Sequence, residues 1–176
     1  MKKYFVAFLS FLFILEGSKL QLLLPQSWGS TFVMIPALVV SGLISISFYL
    51  PRRYVLWIGF IFGLFHDIVY GPAIGIKAFT FPLVAYGTYL LSGAFSLYQW
   101  IAGITFFLGQ SAYFIILYGW YWLFGFTNMD FSYAFWLHIV PSILLNWLLA
   151  YLIHQPIRWI YQKKRNRSII FDTILR

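Results

Sequence analysis

The sequence predicts an all-α integral membrane protein of six transmembrane helices with both termini in the cytoplasm, and three observations lead there. Hydrophobic residues make up 62% of the 176, charged residues only 9%, and mean hydropathy is +0.83, more apolar surface than one soluble core could enclose. The apolar residues fall into runs near the length of about 20 residues that a helix needs to cross a hydrocarbon core about 30 Å thick. The cations collect between alternate runs, as the positive-inside rule requires of cytoplasmic loops.

The first run, Tyr4–Leu24, follows Met1-Lys2-Lys3 and resembles the basic and apolar regions of a secretory signal. No small-residue cleavage site follows, and the run continues past Glu16 and Lys19, so an uncleaved first helix is expected. Glu16 and Lys19 stand three apart, a spacing that lets them neutralise each other on one helix face. After the break from Pro25 to Gly29 comes a second run, Thr31–Leu50, closed by Pro51-Arg52-Arg53. The third run, Tyr54–Tyr70, ends at Gly71-Pro72, because proline disfavours helical geometry in the residue before it, and the fourth runs from Ile74 to Ser92. Leu97–Phe126 is the fifth, Thr127 to Asp130 a turn, and Phe131–His154 the sixth. Residues 1–156 therefore form the six-helix transmembrane domain and 157–176 a basic cytoplasmic tail.

Lys2, Lys3, Arg52, Arg53 and the tail cations Arg158, Lys163, Lys164, Arg165 and Arg167 share one side in this arrangement, which leaves little beyond Asp130 and Lys77 for the other. The net charge of +8 is thus explained by orientation in the membrane and not by nucleic acid. In the tail the cations are interleaved with Trp159 and Tyr161, and each is worth about 1 kcal/mol near an anionic leaflet, so anionic lipids or a cytoplasmic partner are its expected contacts. Tryptophans near the proposed helix ends, among them Trp28, Trp57, Trp120, Trp122 and Trp136, fit interfacial belts. The absence of cysteine excludes disulfides and thiolate chemistry.

The third run and the loop after it hold the most informative pattern: Gly59, Gly63, Asp67, Gly71 and Gly75, each four residues from the last. Glycines so spaced strip one helix face and let another backbone approach. A mid-helix Asp facing lipid would cost roughly 2.5–3.5 kcal/mol, so Asp67 should face protein or water. Lys77, the only other charge nearby, makes Asp67–Lys77 a candidate ion pair, with snorkelling of Lys77 to the headgroups as the alternative. His66 points about 100° away from Asp67 and forms no dyad with it. Gln110 and Asn146 are mid-span amides of the kind that hydrogen-bond between helices. His138, His154 and Glu16 have no metal-site spacing, and Ser111 lies in no nucleophile elbow, so neither an enzyme nor a cofactor is expected.

The stretch Gly59-Phe-Ile-Phe-Gly63-Leu-Phe-His-Asp67-Ile-Val-Tyr-Gly71-Pro-Ala-Ile-Gly75, followed by Phe81-Pro-Leu-Val-Ala-Tyr86, resembles the signature of the bacterial rod-shape-determining MreD family. That resemblance implies a non-enzymatic scaffold of the cell-elongation machinery in the bacterial plasma membrane. Its implied partners are MreC, the actin-like MreB, and the wall glycan polymerase and transpeptidase. The implied fold is similar to the six-helix substrate-binding subunits of energy-coupling-factor transporters. Lys77 is not part of that pattern. On this reading the small-residue face packs against a neighbouring helix, Asp67 fixes the adjacent outer-leaflet structure, and the surface shaped there receives MreC. The competing reading is a small-molecule-binding subunit of a membrane transporter, against which stands the scarcity of polar groups.

Overall fold

In the computed structural model the described residues are 2–17, 29, 31–94 and 99–174, with side chains described except at 2, 93–94, 99–101 and 164–174. Every regular element among them is helical: α1 (Lys2–Gly17), α2 (Leu38–Ser47), α3 (Arg52–Tyr70), α4 (Ile76–Ala94), α5 (Gln99–Leu123), and a last run of α6 (Phe131–Ala134), a π-helical turn (Phe135–Ile139) and α7 (Val140–Ile174). Three stretches, Arg52–Tyr70, Ala102–Leu123 and Phe131–Lys163, are long and apolar enough to cross a membrane. A helix stands in each of the six apolar runs. Lys19 and Trp28 lie outside the described residues, and with them the expected Glu16–Lys19 pairing.

The other helices are arranged around α2, which packs against α1, α3, α4, α5 and α7 and has all ten of its residues buried. Its serines stay in this apolar setting by bonding backwards: the hydroxyls of Ser41, Ser45 and Ser47 donate to the carbonyls of Ala37 (2.9 Å), Ser41 (3.0 Å) and Ile44 (2.7 Å). Ser41 also accepts the amide of Gln110 from α5 at 2.7 Å, the interhelical bond expected of that glutamine. Val39, Leu43, Ile44 and Ile46 of α2 form one core with Phe5 and Leu9 of α1, Val55 and Phe62 of α3, Phe81 of α4, Phe106 of α5 and Ile143 of α7. Large apolar side chains such as Trp57, Leu148 and Leu152 point outward, the inverse of a soluble fold.

The second run is not helical throughout. Residues 32–37 lead into α2 without helical hydrogen bonds, and α2 itself, at 1.5 Å per residue, is only about 15 Å long. The reason is local: Ile35 precedes Pro36, which pushes it out of the α region, and proline has no N–H to contribute. Irregular backbone in a membrane protein needs partners from protein, and α7 with the π turn supplies them. Alternate N–H groups, those of Val33, Ile35 and Ala37, donate to the Leu137 carbonyl (2.9 Å), Ser142 Oγ (3.0 Å) and Asn146 Oδ1 (2.6 Å). The Asn146 amide in turn donates to the carbonyls of Ile35 and Ser142, both at 2.7 Å.

The Leu137 carbonyl is free for this because the residue four positions on is Pro141, which cannot donate the usual helical bond and whose ring crowds that carbonyl. The same crowding accounts for the wide π turn over Phe135–Ile139. At the other end, α7 continues through Pro156 as far as Ile174, so the basic segment 157–174 extends the last helix without a break at the expected boundary.

Replacing Asn146 with Leu strands the Ala37 N–H and the Ile35 carbonyl, each worth about 1–3 kcal/mol when buried and unpaired. Thermal unfolding in detergent should show a clear fall in Tm for Asn146→Leu and a smaller one for Ser142→Ala; an unchanged Asn146→Leu would contradict this role of the amide.

Candidate functional site at the α3–α4 hairpin

α3 and α4 form a tight hairpin closed by residues 71–75, and the glycine pattern explains how close they come. A Cβ at Gly63 would collide with the Lys77 carbonyl and lie 2.7 Å from Ala78 Cα; one at Gly59 would lie 3.1 Å from Pro82 N and Cα. The face expected to meet a neighbouring helix therefore meets α4 of the same chain and is filled by it. Gly71 ends α3, its N–H donating to the Asp67 carbonyl at 3.0 Å. Gly75 takes φ +115°, a conformation that L side chains rarely adopt, which turns its N–H back toward α3. At the opposite end the Arg52 guanidinium lies 4.9 Å from the centre of the Tyr86 ring.

Asp67, only 2% exposed, is aimed at the start of α4. Its Oδ2 accepts the N–H groups of Gly75 (2.8 Å), Lys77 (3.0 Å) and Ala78 (3.0 Å), and Oδ1 accepts Lys77 N–H at 2.9 Å. The carboxylate acts as an N-cap supplied from another helix, satisfying donors that α4 cannot use internally and placing negative charge at the positive end of its dipole. The expected Asp67–Lys77 ion pair is thus corrected. Asp67 meets Lys77 through its backbone, and no ion pair joins their side chains among the described residues. A short side chain rising from α3 reaches the first turn of α4, whereas the Lys77 stem leads its ammonium elsewhere.

It leads to the next face of α3. His66, also 2% exposed, points away from Asp67 as the helical angle requires, and lies with Nε2 3.7 Å from Glu16 Oε2 on α1 and its ring edge-on to Phe13. Glu16 Oε2 accepts the Val39 N–H at 3.0 Å, so this second, partly buried carboxylate also serves the N-terminus of a helix not its own, here α2. Glu16, His66, Tyr70 and Lys77, with Gly17, Ile35 and Pro36, line a cavity of about 390 Å³. Sequence reasoning missed this cluster: Glu16 was assigned to Lys19 by spacing, and nothing in the chain order brings residues 16, 66 and 77 together.

The remaining candidates stay apart. His154 Nε2 lies 3.1 Å from the Tyr49 hydroxyl, while His138 flanks the Tyr133 ring; no group of side chains among the described residues could hold a metal ion. Ser111 donates to the Phe107 carbonyl at 2.8 Å, an intrahelical role. On the basic segment, the Lys163 ammonium lies 4.5 Å from the centre of the Trp159 ring, and the side chains of Lys164, Arg165 and Arg167 lie outside the described ones.

A family model described as rod shape-determining protein MreD matches residues 1–164. The chain belongs to the MreD family. No curated protein and no solved structure matches it. Membership makes it a non-catalytic membrane protein associated with the elongation machinery that sets cell shape.

Asp67→Ala leaves backbone N–H groups of Gly75, Lys77 and Ala78 uncapped and should cost at least about 2 kcal/mol, read as a lowered Tm in detergent. Lys77→Met keeps the backbone bond and should leave Tm unchanged or raised; equal losses in both variants would restore the side-chain ion pair.

Proposed function

We propose that the protein is a non-enzymatic scaffold of the machinery that builds the lateral cell wall, holding MreC in the plane of the plasma membrane and through it MreB, the glycan polymerase and the transpeptidase. The observation that carries this reading is the family match over nearly the whole chain. In it the chain crosses the membrane six times with both termini cytoplasmic, in an arrangement like that of energy-coupling-factor substrate-binding subunits. A helix in each apolar run and the cations between alternate runs support that topology.

Because α4 covers the glycine face, the partner is received on the outward side of the hairpin. There a groove of about 410 Å³ runs between α3 and α4, lined by Arg53, Leu56, Trp57, Phe60 and Pro82. Its apolar wall suits a single membrane-spanning helix and Arg53 an acidic or polar end. Asp67 contributes indirectly, by fixing the hairpin whose two helices form the groove. The basic segment that continues α7 holds anionic lipid at the cytoplasmic surface through Arg158, Lys163, Lys164, Arg165 and Arg167.

Tagged purification from the native membrane in mild detergent, with mass spectrometry of co-eluting proteins, tests the reading. Wild type should recover MreC and wall synthases, and a Trp57→Ala/Phe60→Ala double variant of unchanged Tm should lose most of the MreC. Full recovery by that variant rules out the groove as the docking surface; recovery of a transporter ATPase pair in place of MreC overturns the scaffold.

A further inference from the structure

In a chain so poor in polar side chains, the cavity between α1, residues 35–36, α3 and α4 gathers an acid, a histidine and a lysine around one void. Their hydrogen-bonding capacity is not used up. Neither ring nitrogen of His66 has a hydrogen-bond partner although both are buried, Nε2 lying 3.7 Å from Glu16 Oε2, and the partly buried Lys77 side chain forms no ion pair among the described residues. Glu16 commits Oε2 to Val39 and leaves Oε1 without a partner there. A buried imidazole with both nitrogens unpaired is costly and rare enough to demand an explanation. A volume of about 390 Å³ lies within the range of small-ligand sites.

The unmet groups specify the ligand's chemistry. An ammonium and an imidazole N–H together call for an anion, and the open carboxylate oxygen calls for a cation or a strong donor close by. Lys77 stands in the first turn of α4, at a helix end, where a membrane presents phosphate; Ile35, Pro36 and the Tyr70 ring supply apolar walls. We propose that this cavity binds a phosphate group carrying a primary amine, as in phosphoethanolamine, with the phosphate between Lys77 and His66 and the amine on Glu16. The source is either a leaflet phospholipid or a free phosphoamine. The site is independent of the scaffold reading: it needs no MreC.

The test uses the purified full-length chain. Native mass spectrometry from nanodiscs of phosphatidylethanolamine, phosphatidylcholine or phosphatidylglycerol reads lipid retention, and calorimetry with soluble phosphoethanolamine, inorganic phosphate and glycine reads the free ligand. Phosphatidylethanolamine retained over the other two lipids assigns the leaflet source; binding of soluble phosphoethanolamine without lipid preference assigns the free one. In either case Lys77→Met and Glu16→Gln, each checked for unchanged Tm, should weaken binding about tenfold or more, and inorganic phosphate should compete equally in wild type and Glu16→Gln. Equal retention of all three lipids with no binding of soluble phosphoethanolamine overturns the proposal. So does binding unaffected by both substitutions, or binding of glycine in its place.

Discussion

The contact between the Asp67 carboxylate and the first N–H groups of α4 is the constraint on which the hairpin rests. A helix beginning inside a membrane protein brings donors that neither lipid nor its own turns can satisfy. Here one side chain from the preceding helix takes three of them, and the glycines at 59 and 63 allow the two backbones to lie close enough for it to do so. The φ of Gly75 completes the geometry, since its N–H must turn back toward α3. Carboxylate, bare face and left-handed turn are parts of one device.

The same solution recurs elsewhere in the fold. Glu16 reaches from α1 to the second residue of α2, and Asn146 with Ser142 reaches from α7 to the non-helical segment before it. In each case a polar side chain from a distant helix is spent on backbone. Few polar residues suffice for this because Asp67, Glu16, Ser142 and Asn146 are aimed at places where regular secondary structure stops. The cavity beside His66 differs in that both nitrogens of its buried imidazole lack a hydrogen-bond partner.

Much of the fold was legible. Apolar runs and their breaks locate the helices, and the turn at Gly71-Pro72 falls where proline places it. The spacing of Gly59, Gly63 and Asp67 identified the face that makes the closest helix contact. Its partner was harder to read, because residue letters advertise side-chain charges and are silent about backbone donors; Lys77 looked like the answer to Asp67, and its main-chain N–H was. Residues 32–37 escaped for a different reason, since a short apolar segment has the same hydropathy whether helical or not. The available signals were Pro36 and, four residues after Leu137, Pro141.

The attachment of residues 32–37 to α7 has a consequence in time. Ile35 and Ser142 are 107 residues apart, and Ala37 and Asn146 are 109. A chain emerging from its N-terminus thus delivers a stretch of backbone whose acceptors do not yet exist, and delivers them only with its final crossing. Until then α2, against which α1, α3, α4 and α5 pack, lacks its lead-in. Assembly of the centre is the last event of synthesis, so a chain cut short before α7 exports the defect to the middle of the bundle.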